Sequence, residues 1–391
     1  MAKVKDPKDL LIGLDGKRAV CNNTGLGNYS RYAVNIMSVA FPSTRFRLYS
    51  PVDAGNDRLR PLLARGNVEL AVPQLRFNNG LSRAIWRTFD LPITLKKDNV
   101  ALYHGLSNEL PLTIGGVVPS VVTVHDLIWR RIPGDYNAVD RRLYDWKYGR
   151  SARIATRVIA ISECTKRDLV ADYGIDPAKI DVIYQGVDPI FTLDIDTFKR
   201  RAVREKYNLP EKYIVSVGTI QLRKNQMLAV EALAKLPPEV HLIFIGNARS
   251  PYAEEVRRRA DALGLADRVR FLEGVPFEDL PALYADATLS SYTSRYEGFG
   301  LPVVESLTVG TPVIAATGSC LEEAGGRGAV YVDPDDVDAY AQAAMRLIDD
   351  RVYNDKLAGL GRRHVRQFSA DAFAKATMGT YNKAIIDFLL S

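Results

Sequence analysis

Short apolar runs alternate with segments of helical periodicity along most of the chain. Strands are predicted in the first half at 10–14, 46–49, 68–72, 100–103, 121–124, 158–161 and 181–184, and in the second half at 213–217, 240–245, 269–272, 287–291, 312–315 and 329–332. Helical periodicity is clearest at 27–39, 227–235, 252–262 and 337–347. Runs rich in β-branched residues that alternate with helices are typical of parallel sheets. The pattern therefore predicts an α/β protein with two Rossmann-like domains.

The length of 391 residues also favours two domains, because single hydrophobic cores stop growing well below it. The boundary is predicted just after the segment 185–189, because polar and charged residues from 194 to 212 separate the two blocks of strands. We expect an N-terminal domain at 1–190 and a C-terminal domain at 191–370. A final amphipathic helix is expected at 371–391.

The composition is that of a soluble globular protein, with 47% hydrophobic and 25% charged residues. No apolar run approaches the roughly 20 residues that span a bilayer, and the charged start of the chain lacks an apolar signal core. The three cysteines are scattered and show no metal-ligand spacing, which indicates a reducing compartment. We therefore expect a cytoplasmic location.

The positive charge is unevenly distributed. Residues 1–195 contain 27 basic and 20 acidic residues, against 25 and 26 in the remainder. Within the segment 76–87, arginines interleave with Phe77, Leu81, Ile85 and Trp86. This segment could contact an anionic membrane surface or an acidic, lipid-linked acceptor. The alternative is that it is a solvated helix face. Nucleic acid is not an expected partner, because no binding motif is present.

The strongest chemical signal is a pair of carboxylates, Glu297 and Glu305, eight residues apart. A glycine-rich turn lies between them, after a predicted strand and at the start of a predicted helix. The N–H groups of such a turn can hold an anion, and glycine allows a ligand to approach the backbone closely. Carboxylates accept hydrogen bonds from vicinal hydroxyls. The arrangement suits a sugar joined through a diphosphate to a ribose.

Together with Tyr296 and the segment 310–314, this motif resembles the Glu-x7-Glu motif of the retaining glycosyltransferases of family 4. The resemblance implies a GT-B fold, in which two Rossmann-like domains face each other across a cleft and the end of the chain crosses back to the first domain. It also implies that Glu305 binds the ribose hydroxyls and Glu297 the sugar hydroxyls near the anomeric carbon. The residues implied to bind the diphosphate through their amides are Gly298, Phe299, Gly300 and Leu301.

The second domain opens with a strand, a turn at Gly218 and Thr219, and two adjacent cations, Arg223 and Lys224, at a predicted helix start. Cations there would stabilise the departing diphosphate. Many family 4 members carry Arg directly after this Gly and Lys five residues later. Here Thr219 occupies the Arg position, so Arg223 is expected to supply the missing cation. The same resemblance places Val275 beside the base.

In the first domain, Gly25 and Gly27 form a Gly-x-Gly sequence at the end of a long predicted loop, where a helix begins. This is an incomplete dinucleotide fingerprint, because Ser30 stands where a third glycine belongs. It is similar to the N-terminal pattern of family 4, with Asn28 in place of the usual Arg, and this implies that Gly27 faces the donor diphosphate. His125 ends an apolar strand, where open α/β sheets bind ligands. The resemblance implies that His125 holds the transferred sugar near its C6 hydroxyl.

The sequence thus favours a retaining hexosyltransferase that needs no metal and no cofactor, because cationic side chains and helix ends can stabilise the leaving diphosphate without Mg²⁺. The segment 218–225 is similar to that of many mannosyltransferases, so GDP-mannose is the first expected donor, with UDP-glucose and related donors open. The expected acceptor is a hydroxyl of a glycan or of a lipid-linked molecule. The departures at Asn28 and Thr219 leave two alternatives: a non-catalytic nucleotide-sugar-binding protein, or a GT-B epimerase or phosphorylase.

Overall fold

The computed structural model describes residues 10–75 and 79–391. The strands are β1 (Leu11–Asp15), β2 (Arg45–Tyr49), β3 (Val68–Ala71), β4 (Leu102–Gly105), β5 (Ser120–Val124), β6 (Arg157–Ala160), β7 (Ile180–Val182), β8 (Lys212–Val217), β9 (Val240–Ile245), β10 (Val269–Leu272), β11 (Leu289–Tyr292), β12 (Val313–Ala316) and β13 (Ala329–Val332).

The α-helices are α1 (Lys17–Cys21), α2 (Gly25–Ala40), α3 (Arg60–Leu63), α4 (Gly80–Ile85), α5 (Leu91–Lys97), α6 (Ile128–Arg131), α7 (Ala138–Ile154), α8 (Glu163–Tyr173), α9 (Thr197–Lys206), α10 (Met227–Leu233), α11 (Pro251–Ala262), α12 (Leu280–Ala285), α13 (Leu301–Val309), α14 (Leu321–Gly325), α15 (Val337–Asp349), α16 (Arg351–His364) and α17 (Ala370–Leu390). A π-helix, Trp86–Asp90, joins α4 to α5. None of the helices in the described ranges is long and apolar enough to cross a membrane.

The chain forms two compact units. The first contains the residues up to Gln185 together with Ala370–Ser391, and the second contains Gly186–Ser369. Each unit is built on its own sheet and has its own buried apolar core.

The first unit contains a seven-stranded sheet with the order β3-β2-β1-β4-β5-β6-β7, and every neighbouring pair is parallel. β4 begins two residues later than its predicted position at 100. The N–H of Val100 instead donates to the Leu95 carbonyl, and Asn99 has a φ of 53°, so these residues close the end of α5. Local capping has displaced an apolar run from the sheet.

The second unit contains a six-stranded parallel sheet with the order β10-β9-β8-β11-β12-β13. The central strands are buried on both faces, as apolar runs without polar alternation predict. Each sheet therefore gathers the carboxyl ends of its strands along one edge, where open α/β sheets bind their ligands.

The last helix, α17, belongs to the first unit. It packs against α2 and β5, and its Tyr381 hydroxyl lies 2.7 Å from His104 Nδ1. Towards its end, Lys383 Nζ lies 2.6 Å from Asp181 Oδ1, and Asp387 accepts a hydrogen bond from Arg157. The first unit is thus assembled from two segments that flank the second unit in the sequence.

Candidate active site

The glycine-rich turn of the second unit connects β11 to α13. Gly300 precedes α13 with a φ of 100°, and a Cβ at this position would lie 2.7 Å from Leu321 Cδ2. Only glycine accepts this combination of backbone and space without strain. Pro302 stands in the first turn of the helix, where its missing N–H costs nothing. The turn therefore presents residues 298–301 at the amino end of α13, as the motif predicts.

Glu297 lies just before this turn and forms a buried ion cluster with two cations. Its Oε1 is 2.7 Å from Arg223 Nη1 and 2.5 Å from Lys224 Nζ. Burial alone would raise the pKa of the Glu297 carboxyl, but Lys224 and Arg223 lower it to about 2. Glu297 is therefore ionised throughout the neutral range.

Lys224 is held by an aromatic residue as well. Its Nζ donates to the Tyr292 hydroxyl over 2.5 Å and lies 4.7 Å from the centre of that ring. Burial lowers the pKa of Lys224, and the charge of Glu297 opposes this effect. Burial and the Glu297 charge raise the pKa of Tyr292 well above its ordinary value, so the phenol stays neutral. Sequence reasoning missed Tyr292, although its place at the end of β11 was a usable signal.

The two cations do not begin a helix, contrary to the prediction. They lie in a 3-10 turn, Leu222–Lys224, which Asn225 ends with a φ of 53°, and α10 begins only at Met227. Arg223 Nη1 also donates to the Tyr296 carbonyl over 2.6 Å, and the Arg223 carbonyl accepts from the Arg295 N–H over 2.9 Å. The turn is thereby fastened to the segment that carries Glu297.

The remaining predicted residues of this region occupy strand ends. Gly218 follows β8 with a φ of 142°, and a Cβ on Gly246, at the end of β9, would lie 2.3 Å from the Gly218 carbonyl oxygen. Thr219 is exposed, and its carbonyl accepts from Gln226 Nε2 over 3.1 Å. Val275 is half-buried against the apolar core of the unit. The parallel pairing of β8 and β9 thus brings the turns at Gly218 and Gly246 together.

Glu305 lies within α13, and its electrostatics are the reverse of those of Glu297. Its Oε2 is 3.3 Å from the Tyr284 hydroxyl. Burial raises the pKa of Glu305 to about 7, the Tyr284 hydrogen bond lowers it, and the charge of Asp188 raises it further. The two carboxylates of one motif thus differ in charge state: Glu297 is fully ionised at neutral pH, and Glu305 is near its midpoint.

In the first unit, His125 follows β5 and is buried. Its N–H donates to Asn108 Oδ1 over 2.7 Å, and its Nε2 lies 2.9 Å from the Leu106 carbonyl, to which it donates. The ring meets Tyr29 edge-on, with 4.5 Å between centroids. Burial lowers the pKa of His125 to about 4, so the ring is neutral and its Nδ1 is a hydrogen-bond acceptor. Such a ring can accept from a hydroxyl but carries no positive charge at neutral pH.

The segment before Gly27 is not the long loop that was predicted, because it contains α1. Gly27 lies in the first turn of α2, and a Cβ there would lie 1.8 Å from the Asn22 carbonyl oxygen. The Gly27 N–H points to Asn22 Oδ1 at 3.3 Å. Glycine is therefore required here for the close approach of α2 to the end of α1.

Behind His125 lies a chain of buried polar groups that the sequence did not reveal. His104 joins the Tyr381 hydroxyl, 2.7 Å from Nδ1, to Thr123 Oγ1, 2.8 Å from Nε2. Thr123 Oγ1 is in turn 3.2 Å from the hydroxyl of Tyr29. Burial lowers the pKa of His104 to about 3. A neutral network thus supports the aromatic ring that packs against His125.

The described part of the chain contains no group of three or more His, Cys, Asp or Glu side chains arranged to hold a metal ion. The polar groups of the two units described above are cations, carboxylates, hydroxyls, imidazoles, side-chain amides and backbone amides.

Comparison with known proteins finds two glycosyltransferase family models that match consecutive parts of the chain. Residues 199–364 match the family model described as glycosyl transferases group 1, and residues 44–191 match the model described as Glycosyltransferase Family 4. The chain carries group 1 and family 4 glycosyltransferase domains. The motif that resembled family 4 lies inside the matched part of the second unit.

Among curated relatives of these glycosyltransferase domains, a D-inositol 3-phosphate glycosyltransferase of Salinispora tropica is 33% identical over 253 residues, 60% of this chain and 52% of the relative. The O-antigen chain mannosyltransferase B of Escherichia coli is 27% identical over 290 residues, 72% and 74% of the two chains. The chain spans about half the length of the first of these relatives.

A solved structure, Alr3699/HepE of Anabaena in complex with UDP-glucose, superposes with a TM-score of 0.75 at 21% identity, over 95% of this chain and 99% of that one. At this identity the likeness concerns the fold alone. It confirms the predicted α/β, GT-B fold class with two Rossmann-like units.

Proposed function

We propose that this protein is a retaining glycosyltransferase, which moves a hexose from a nucleoside diphosphate sugar to a hydroxyl of a glycan or lipid-linked acceptor. The observation that carries the proposal is the buried cluster of Glu297, Arg223 and Lys224 immediately before the amino end of α13. A site for a diphosphate leaving group needs fixed positive charge and backbone donors at one place, and this segment supplies both.

The donor's diphosphate would be bound by the amides of residues 298–301 and by Lys224. The cluster of two cations and one carboxylate has a net charge of +1 (two positive, one negative), which the diphosphate would complement. Glu297, held ionised, would accept hydrogen bonds from the sugar near its anomeric carbon. His125 would accept a hydrogen bond from the C6 hydroxyl at Nδ1. Gly27, Gly218, Thr219 and Val275 are the further donor contacts that this proposal includes.

In the reaction, the bond between the anomeric carbon and the diphosphate oxygen breaks while the acceptor oxygen bonds to the same carbon from the same face. The acceptor's proton passes to the departing diphosphate oxygen. Charge fixed before the reaction, rather than a strong base, would supply most of the rate, because it costs no reorganisation when the leaving group departs. We propose that no metal ion is required, since Lys224 and the helix end would take the role of a cation.

The donor is proposed to be GDP-mannose. Support comes from the likeness of segment 218–225 to mannosyltransferases and from the name of the Escherichia coli relative. Because the Anabaena structure has UDP-glucose bound, UDP sugars are the alternative donors to be tested against GDP-mannose. Glu305 would accept hydrogen bonds from the two ribose hydroxyls, which every such nucleotide carries.

Calorimetric titration with GDP, UDP and ADP, without metal and then with Mg²⁺, tests the proposal. We expect one nucleotide to bind, with the same affinity in both conditions. Glu305→Ala should weaken its binding by about 1–3 kcal/mol through lost charge-assisted hydrogen bonds. Glu255→Ala, an exposed glutamate on α11, is the matched control and should change nothing. Failure of all three nucleotides to bind would refute a transferase site here.

We also propose that the first unit contacts an anionic membrane surface peripherally. Along the helical run from α4 through the π-helix to α5, apolar side chains four residues apart are exposed: Leu81 (71%), Ile85 (44%), Phe89 (48%) and Ile93 (70%). Lys96 and Lys97 follow in the last turn of α5. Apolar side chains next to lysines are the combination that binds at a lipid interface. Arg76 and Phe77, which the sequence pattern included, lie outside the described residues.

A further inference from the structure

Lys224 reaches the candidate site on a long side chain, and the structure shows how the end of that side chain is held. Lysine carries its charge on a flexible four-carbon stem, whereas stabilisation of a leaving group requires charge that is fixed beforehand. The Lys224 side chain is mostly buried, with 14% of its surface exposed. Burial limits its movement but does not by itself set the direction of its N–H groups.

Two oxygen atoms hold the ammonium group of Lys224. Glu297 Oε1 and the hydroxyl oxygen of Tyr292 each lie 2.5 Å from Nζ. An ammonium group has three N–H donors and no acceptor, so both oxygens accept from it. Among the residues that the structure describes, these are the two polar partners of Lys224 Nζ. One N–H is therefore left for a ligand.

The two contacts together fix the direction of this third N–H. The four bonds of an ammonium nitrogen point to the corners of a tetrahedron, and Cε and the two engaged N–H groups occupy three of them. With Glu297 as its one partner, the side chain could still swing about the carboxylate oxygen through its rotatable bonds. With Tyr292 as a second partner, Nζ is held at one point and the remaining N–H has one direction.

Tyr292 can fill this role because its backbone is fastened to the turn that carries Lys224. Tyr292 is the last residue of β11, which lies between β8 and β12 in the sheet. The hydroxyl of the next residue, Thr293, donates to the Asn225 carbonyl over 2.9 Å and also lies 3.3 Å from the Lys224 carbonyl. The strand end and the 3-10 turn are thus tied together beside the ammonium group.

The phenol of Tyr292 holds the ammonium group without cancelling its charge. Burial and the charge of Glu297 raise the pKa of Tyr292 well above its ordinary value, so the hydroxyl stays protonated. A carboxylate in its place would reduce the net charge of the cluster from +1 to zero, since two carboxylates would then face two cations. A neutral acceptor therefore orients the donor and preserves its attraction for an anion.

We propose that Tyr292 is a positioning residue of the transferase, whose hydroxyl directs the third N–H of Lys224 towards the diphosphate of the nucleotide. In this role Tyr292 touches no substrate and acts through Lys224, as a support that keeps a binding group in its productive geometry. This inference rests on the proposed function, because it assigns a supporting residue to the same diphosphate site. It predicts a preference for nucleoside diphosphates over monophosphates that depends on one phenolic oxygen.

Calorimetric titration with GDP, GMP, UDP and UMP measures this preference. Tyr292→Phe removes one oxygen atom and keeps the ring. For the base that binds, we expect the ratio of the monophosphate to the diphosphate dissociation constant to fall roughly tenfold in this variant, because a charge-assisted hydrogen bond to the phosphate is weakened. Most of the change should lie in the diphosphate affinity.

Tyr213→Phe is the matched control. Tyr213 lies in β8 of the same unit and is fully buried, and its hydroxyl donates to the Leu283 carbonyl over 2.7 Å. The variant therefore also loses one buried hydrogen bond, but neither of its atoms belongs to the candidate site. The control should lose stability and keep the diphosphate preference of the wild type.

Phosphorus NMR of the bound nucleotide gives a signature that a purely structural role of Tyr292 would not produce. The diphosphate resonances should shift between the wild type and Tyr292→Phe, because the donor that faces the phosphate has moved. They should coincide between the wild type and Tyr213→Phe.

A double-mutant cycle tests whether Tyr292 acts through Lys224. Lys224→Met alone should remove the diphosphate preference at least as fully as Tyr292→Phe does. Adding Tyr292→Phe to Lys224→Met should then change the preference little, because substitutions that act through one contact are not additive. Tyr292→Met is the second variant if Tyr292→Phe does not fold, since methionine adapts to irregular space in a core.

The inference is overturned if Tyr292→Phe keeps the diphosphate preference, if Tyr213→Phe loses it equally, or if the effects of Tyr292→Phe and Lys224→Met are fully additive. Nucleotide binding by the wild type separates this failure from that of the proposed function. If the wild type binds a nucleoside diphosphate and Tyr292→Phe binds it equally well, the role of Tyr292 alone is wrong. If the wild type binds no nucleotide, the transferase proposal fails, and the role of Tyr292 fails with it.

Discussion

Replacing Glu297 by glutamine tests the electrostatic account of the second unit. The substitution keeps the shape of the side chain and removes its charge, so Arg223 and Lys224 lose their shared counter-charge in a buried place. A pKa lowered from 4.5 to about 2 corresponds to about 3 kcal/mol of interaction in favour of the ionised form. Removing one partner of a buried ion pair typically costs about 3–5 kcal/mol. The two routes give losses in the free energy of unfolding of about 3 kcal/mol and about 3–5 kcal/mol, so we expect a loss of at least about 3 kcal/mol.

Urea unfolding measured by far-ultraviolet circular dichroism is the assay. All three tryptophans, Trp86, Trp129 and Trp146, lie in the first unit, so tryptophan fluorescence on the same samples monitors that unit separately. Glu305→Gln is the matched control. Its carboxyl has a pKa near 7 because it is buried without a cation, so a neutral amide should cost little or nothing.

The pH dependence gives a second check on the same variant. The unfolded chain protonates Glu297 near 4.5 and the folded chain only near 2, so its stabilisation is present above 4.5 and is lost as the pH falls towards 2. The difference between the wild type and Glu297→Gln should shrink in that range. Equal stability of the two proteins at neutral pH would show that the carboxylate is not stabilised by the two cations.

Two further predictions concern binding. Nucleotide affinity should rise as the pH increases through about 7, because Glu305 must be ionised to accept hydrogen bonds from two ribose hydroxyls. Glu305→Gln should bind the nucleotide more weakly, with an affinity that does not change with pH. If the affinity of this variant depends on pH as in the wild type, another group is responsible for the titration. Co-sedimentation with vesicles that contain phosphatidylglycerol should be lost in Leu81→Ser/Ile93→Ser and weakened by salt. Val352→Ser, at an 80% exposed apolar position of α16, is the control and should not change vesicle binding. If Leu81→Ser/Ile93→Ser still binds the vesicles, the membrane contact lies elsewhere.

The strands were predictable because each is an apolar run that a parallel sheet buries on both faces. Their ends were less predictable, because hydrogen bonds at helix ends decide them. The β4 start is an example, since Asn99 and Val100 close α5 instead of extending the strand. The short helix α1 was missed because its five residues are too few to show a helical period.

The candidate site residues could be singled out one by one from the sequence, but their partners in the structure could not. Resemblance to two separate family 4 motifs pointed to Glu297 and to Lys224. That Lys224 donates to Tyr292 and that both cations meet one carboxylate oxygen depends on a 3-10 turn, which has no clear signature in the sequence. The opposite pKa shifts of Glu297 and Glu305 follow from burial and neighbours that spacing does not contain.

The position of α17 has a consequence for how the protein is made. A ribosome synthesises the strands of the first unit early, but Tyr381, which bonds His104, emerges only after the second unit. The nascent first unit therefore cannot be completed until the whole second unit has been translated. Until then His104 and Thr123, which are buried in the folded unit, lack the cover of α17. Premature termination shortly before residue 370 would leave the earlier-made half unfinished while the later-made half has its full set of strands.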